Sequence, residues 1–188
     1  MIGNLGLCGG HRTGKTTLAI ALSSHLNIPF VRTTTSQVFA QLGLDPAEPM
    51  DFQTRLFVQN HVLDAAKQVW QNSFSPFVSD RTPIDMIAYT LGDIQGKTEV
   101  DFDLLSQYIN RCFASTNQFF QNLAIIQPGL PLVYEKGKAA LNAAYIEHIN
   151  ILVIGLSNDS RLKANVFCNP RDAIALDLRI RNILRIKS

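Results

Sequence analysis

Short apolar runs alternate along the chain with longer stretches in which apolar positions recur at helical spacing. Ile2–Leu7 is a short apolar run ending in glycines, which predicts a buried strand. Thr16–Leu26 follows with Leu18, Ala21, Leu22 and Leu26 on one side of a predicted helix. Ile28–Val31 predicts a second strand, set off by Asn27 and Pro29. Ser36–Leu42 predicts a short helix, and Gly43–Pro49 a loop punctuated by Gly43, Pro46 and Pro49. Asp51 is placed to cap a long helix running to about Trp70. Phe52, Leu56, Leu63, Ala66 and Trp70 share one face of it, and Gln53, Phe57 and Asn60 lie on another.

The same alternation continues. Phe74–Ser79 predicts a third strand ending at Asp80-Arg81, and Pro83–Leu91 a helix with Pro83 near its first position. Asp101–Asn122 predicts a second long helix, with Phe102, Leu105, Ile109, Cys112, Thr116 and Phe120 as its apolar stripe. Leu123–Ile126 predicts a fourth strand, closed by Pro128-Gly129. Pro131–Lys138 is irregular, Ala139–Leu156 returns to helix, Val166–Cys168 predicts a fifth strand, and Ala173–Lys187 a final helix. Strands separated by helices imply an α/β fold with a mostly parallel sheet and right-handed crossovers.

Length and composition narrow this only a little. At 188 residues the chain has the length of a single domain, 1–188, and 46% hydrophobic residues is ordinary for a globular protein. A formal net charge of +2 gives no case for nucleic-acid or membrane binding. Arg179, Arg181, Arg185 and Lys187 form a loose basic cluster that reads as a solvated helix face. Cys8, Cys112 and Cys168 match no disulfide or zinc spacing, which implies a reducing, cytoplasmic compartment. Cys8 and Cys168 lie in apolar runs and read as buried small hydrophobes. No apolar stretch reaches transmembrane length, and no basic segment precedes the first apolar run.

The chemistry begins at Gly9-Gly10-His11-Arg12-Thr13-Gly14-Lys15-Thr16, which fits G-x-x-x-x-G-K-[ST] at every fixed position between a predicted strand and a predicted helix. Glycines let the backbone turn tightly, so that several N–H groups point inward at phosphate oxygens, and the helix that follows adds the positive end of its dipole. Lys15, read as an exposed cation, reaches the β- and γ-phosphates, and the Thr16 hydroxyl is placed to ligate Mg²⁺. Thr17 is a further candidate, for the α-phosphate. His11 and Arg12 sit where the pattern tolerates many residue types; Arg12 is a candidate phosphate contact, with simple exposure as the alternative. The segment therefore implies a nucleoside triphosphate and Mg²⁺, but not yet a reaction.

Asp80 and Arg81 fall at the end of a predicted strand, where open α/β sheets place ligands. A carboxylate there can organise Mg²⁺ through water or accept a proton, and an arginine can hold a phosphate as a fork. Asp80-Arg81 after the third strand resembles thymidylate kinases and other small nucleoside and nucleotide kinases. The run Asp80-Arg81-Thr82-Pro83-Ile84-Asp85-Met86-Ile87-Ala88-Tyr89 resembles P-loop kinase-like proteins of phages and bacteria, including phage deoxynucleoside monophosphate kinases and the ribosylnicotinamide kinase domain. Gly9–Leu18 and Gln127-Pro128-Gly129 resemble the same group.

This resemblance implies a P-loop kinase-type three-layer fold with a roughly five-stranded parallel sheet and a short lid at about 131–138. It implies ATP and Mg²⁺ as cofactors, a small nucleotide acceptor and, as is common in such kinases, a homodimer; a phage-encoded chain would work in its host's cytoplasm. Asp80 would be the catalytic or magnesium-organising carboxylate, and Arg81 would hold the acceptor phosphate or the transferring one. Arg32 falls where thymidylate kinases place an acceptor-phosphate arginine, although Val31-Arg32-Thr33-Thr34-Thr35 does not reproduce their Arg-Glu-Pro. Gln53, Phe57 and Asn60 are candidates to hold the acceptor base by amide pairing and stacking, the alternative being an ordinary second helix face. The lid offers Lys136 and Lys138 around Gly137 and no arginine, so it can neutralise charge but not form a fork. Asn169–Asp172 falls at the family's adenine loop, where Arg171 could stack on a base or simply be exposed.

Three readings compete: a deoxynucleoside monophosphate kinase first, a nucleoside or ribosylnicotinamide-like kinase second, and an ATPase or GTPase switch acting on a protein partner third. Against the last, the chain contains no Asn-Lys-x-Asp guanine motif, and the strand before Asp80 is short and followed by arginine.

Overall fold

The computed structural model describes residues 3–33, 35–45, 48–133 and 142–185. In chain order the elements are β1 (Leu5–Cys8), α1 (Lys15–Leu26), β2 (Phe30–Val31), α2 (Thr35–Gln41), α3 (Phe52–Gln71), β3 (Val78–Ser79), α4 (Pro83–Gly92), α5 (Phe102–Phe119), β4 (Asn122–Ile126), α6 (Ala143–Ser157), β5 (Asn165–Asn169) and α7 (Leu176–Leu184). The strands form one five-stranded sheet in the order β2-β3-β1-β4-β5, parallel throughout. β1 is the central strand, so the segment Gly9–Thr16 leaves the sheet where crossovers depart to either side. Among the described residues no helix is long and apolar enough to cross a membrane.

Alternation along the strands splits the core into two layers, because successive side chains point to opposite faces. Leu5, Leu7, Val78, Ala124 and Ile126 pack with Leu18, Ala19 and Leu22 of α1 and Ile183 of α7. Cys8, Val31, Leu123 and Ile125 pack with α2 to α6 on the other face. The layers are therefore helix, sheet, helix. The predicted face of α3 is the one buried: Phe52, Leu56, Leu63, Ala66 and Trp70 lie in the second cluster. Asp51 caps this helix, its carboxylate accepting from Thr54 N–H at 2.7 Å.

Several predicted details differ. The runs Ile28–Val31 and Phe74–Ser79 contribute only two paired residues each, at Phe30–Val31 and Val78–Ser79. Phe74 is 87% exposed, while Phe77 is buried and its carbonyl still accepts from Leu5 N–H. α5 stops at Phe119, because Phe120 has already turned to extended backbone leading into β4. Phe102, placed in the α5 stripe by spacing, is 68% exposed at the first turn. Cys168 is exposed rather than buried: β5 is an edge strand with one side uncovered. The expected basic face of the last helix is also not uniformly solvated, since Arg179 is buried. Residues 134–138 of the expected lid, with Lys136 and Lys138, lie outside the described residues.

Candidate active site

The chain crosses from β1 to α1 through a loop whose backbone needs left-handed angles at Gly9 (φ 145°), Arg12 (φ 63°) and Gly14 (φ 76°). A Cβ on Gly9 would lie 2.5 Å from the carbonyl oxygen of Ile126, so only glycine fits against β4 there. α1 begins with Gly14 as its cap, no side-chain cap bond and no acid in its first turn. Its first N–H groups are thus left for an anion, the arrangement expected of a phosphate site.

The loop opens on a cleft of about 520 Å³. Gly9, His11, Arg12, Thr13, Gly14, Lys15, Thr16 and Thr17 line its floor, with Arg32, Thr33, Asp80 and Arg81 on one flank and Leu130–Val133 on another. Thr16 Oγ donates to Asp80 Oδ2 at 2.5 Å, so the last residue of the loop and the carboxylate after β3 meet directly. Lys15 is half-buried, not exposed, and folds back so that Nζ donates to Gly9 O (2.6 Å) and Gly10 O (2.7 Å). Burial pulls its pKa down, and the negative charge of Asp85 partly restores it. Arg81 donates from Nη1 to Thr35 Oγ at 2.7 Å, tying the turn to the start of α2. Arg32 is exposed at the end of β2 and borders the cleft. Arg12 donates to Val133 O at 3.4 Å.

Four of the sequence candidates stand elsewhere. Gln53 is exposed on the first turn of α3, and Phe57 is 53% exposed and packs against His61 with tilted rings, centroids 4.3 Å apart and planes at 52°. Asn60 Nδ2 donates to Leu56 O at 3.0 Å, and its Oδ1 accepts from Arg111. None of the three is among the cleft-lining residues. Arg171 pairs with Glu147 through two bonds of 2.9 and 2.5 Å on the surface, outside the lining.

Three other residues touch the loop. Asp85, fully buried in the first turn of α4, accepts from Gly9 N–H at 2.7 Å with Oδ1 and from Thr82 N–H at 2.9 Å with Oδ2. Burial pushes its carboxyl pKa up; Lys15 and the Gly9 N–H pull it back. Tyr89 Oη accepts from His11 N–H at 2.7 Å. Arg179, from α7, donates to Thr13 O at 2.6 Å, and its Nε has no hydrogen-bond partner among the described residues. Thr82-x-x-Asp85 is a capping-box pattern before an apolar run, so a signal for Asp85 was present in the sequence, and Tyr89 follows one helical turn later. Nothing in the sequence near Arg179 distinguishes it from its neighbouring arginines. Cys8, beside Thr82, is buried, and burial and the charge of Asp85 push its thiol pKa well up.

A family model described as an AAA domain matches residues 5–118, well over half of the chain. The chain belongs to the AAA domain family. Curated protein sequences give no match. Among solved structures, a deoxyadenosine kinase from M. mycoides with bound dATP is similar at a TM-score of 0.65 and 15% identity, covering 98% of this chain and 100% of that one. Thymidylate kinase from Candida albicans is similar at 0.60 and 14%, covering 98% and 91%. Thymidylate kinase from Ehrlichia chaffeensis is similar at 0.61 and 13%, covering 98% and 97%. This AAA domain therefore has the three-layer parallel fold of the P-loop nucleotide kinases over nearly its whole length.

Proposed function

We propose that the protein transfers the γ-phosphoryl group of ATP to a small nucleotide, with a deoxynucleoside monophosphate as the acceptor. The observation that carries this reading is the direct bond between Thr16 and Asp80 in a cleft that has the phosphate loop on its floor and Arg32 and Arg81 on its flank. A hydroxyl and a carboxylate side by side are hard oxygen donors that would suit Mg²⁺. When bound, Mg²⁺ neutralises charge on the phosphate oxygens. ATP fits the uncapped start of α1 and the glycine turns before it.

In this reading the loop N–H groups and Thr17 hold the triphosphate, and Lys15 leaves Gly9 O and Gly10 O for it. Asp80 orients the attacking phosphate oxygen, which is already ionised near neutral pH, and Arg81 and Arg32 hold the acceptor phosphate; only a nucleoside hydroxyl would need Asp80 to take its proton. Lys136 and Lys138 would add positive charge from the lid, and Arg171 would border the adenine. Gln53, Phe57 and Asn60 would serve the acceptor base only if it extends across to the outer face of α3.

A nucleoside acceptor is the second reading. The Arg81–Thr35 bond favours it, because this guanidinium is already engaged by α2 rather than left for an acceptor phosphate. The similarity to a deoxyadenosine kinase supports the same class. The test is an acceptor screen in which purified protein, Mg-ATP and a panel of nucleosides and their monophosphates are scored by ADP formed. Turnover with monophosphates supports the first reading, turnover with nucleosides replaces it with the second, and ADP release indifferent to every acceptor removes both.

A further inference from the structure

α4 starts immediately after Asp80-Arg81-Thr82 and presents Asp85 and Tyr89 one turn apart, and both reach the phosphate loop. We infer that these two residues brace the loop: Asp85 holds Gly9 N–H, Tyr89 holds His11 N–H, and together they set the register between the phosphate loop and the Asp80-Arg81 turn. The inference rests on the nucleotide-binding part of the reading above.

Three features carry it. First, one buried carboxylate joins the first N–H of the loop to the N–H of Thr82, the residue after Arg81, at 2.7 and 2.9 Å. The donor side and the turn that carries Asp80 therefore share a single anchor, and a shift of one moves the other. Second, the Asp85 carboxylate is fixed on its own helix by the reciprocal capping box with Thr82, so it is a rigid anchor. A buried charge that has partners on both oxygens is costly to leave half-paired, which makes the bridge an all-or-none connection. Third, Tyr89 lines the cleft, and its oxygen accepts from His11 N–H at 2.7 Å while His11 Nδ1 lies 3.3 Å away. Burial raises the phenol pKa, so Tyr89 keeps its hydrogen as a donor near neutral pH. It holds the loop at His11 from the cleft wall.

Loop N–H groups bind phosphate strongly only when they already point inward, because ordering them on binding would consume the affinity. The brace does that ordering during folding. Asp85 and Tyr89 are in this sense positioning residues, and both also line the cleft.

The experiment measures Mg-ADP affinity by calorimetry well below the melting temperature, for wild type, Tyr89→Phe and Asp85→Asn, with kcat and both KM values alongside. Tyr89→Phe removes one hydroxyl and little volume; affinity is expected to fall about 3–10-fold, the size of one lost hydrogen bond, with Tm lower by no more than about 5 °C. Asp85→Asn keeps an oxygen for Gly9 but sets an amide N–H against Thr82 N–H; affinity is expected to fall about 10-fold or more, with a loss in kcat as well. Contributions to folding alone would lower Tm and leave the affinity of the folded protein unchanged. Wild-type affinity in both folded variants overturns the brace; if Asp85→Asn does not fold, Tyr89→Phe alone decides. A wild type that binds Mg-ADP but phosphorylates no acceptor removes the kinase reading and leaves the brace testable by binding.

Discussion

Around the phosphate loop, bonds arrive from parts of the chain made much later. Gly9 and His11 are held from α4, Thr13 from α7, and Thr16 meets Asp80 after β3. The facing flank of the cleft has little of this. Among the described residues, Arg32 is exposed, the buried Thr33 Oγ1 has no hydrogen-bond partner, and the Arg81 side chain donates to Thr35 alone. A site that meets the same triphosphate each time gains from being ordered in advance, because the ordering entropy is spent in folding. A flank that selects among acceptors must instead close on the right one, and loosely held side chains allow it.

Substitutions test that contrast. The largest effect is expected from Lys15→Ala, which removes the loop lysine: turnover should fall by about 10²–10³-fold or more, while circular dichroism stays near wild type and melting falls by a few degrees, because Gly9 O and Gly10 O lose their donor. Unchanged turnover in a folded variant would remove the loop from the chemistry. Next comes Asp80→Asn, for which kcat is expected to drop about 10²-fold with ATP affinity retained. A Mg²⁺ titration of the variant should need more metal to saturate; collapse of ATP affinity with normal turnover of bound substrate would make Asp80 a folding residue.

Arg179→Met addresses the braced side without touching the cleft lining. It leaves a buried carbonyl unpaired, at a cost of about 1–3 kcal/mol, which for a chain of this size lowers Tm by about 3–10 °C. A Tm within a degree of wild type would show that Thr13 O finds another partner. On the open side, Arg81→Lys keeps the charge and loses the fork, so the KM of a monophosphate acceptor should rise about 10-fold with the KM for ATP nearly constant. An effect on kcat alone would assign Arg81 to the transferring group instead. The smallest change is expected from Phe57→Ala, on the exposed face of α3: within about twofold in acceptor KM, as for a surface substitution. A larger rise would extend the acceptor site across α3.

The loop was legible because its chemistry is local: eight consecutive residues carry the turn, the cation and the metal hydroxyl, so spacing alone suffices. Helix starts were legible for the same reason, with Asp51 capping α3 and Pro83 opening α4. What spacing cannot convey is which partner a residue finds across the fold. Asp85 and Gly9 are 76 residues apart, and Tyr89 and His11 are 78 apart, so neither connection leaves a periodic trace. Cys168 misled because an apolar run looks alike in a central strand and in the edge strand β5, where half of it meets no helix. The stripe drawn through Phe102 failed at a helix end, where the side chain of the first residue of α5 is 68% exposed.

The bond from Arg179 to Thr13 has a consequence for how the protein is made. The loop is synthesised 166 residues before the arginine that supports it, and β1 must wait for both β3 and β4 before it is flanked. A nascent chain therefore carries the complete nucleotide-binding motif long before it has the supports that hold it in shape. Ribosome-bound intermediates should hold nucleotide poorly, and competence should arrive late and abruptly, with the last helix docking as the final latch.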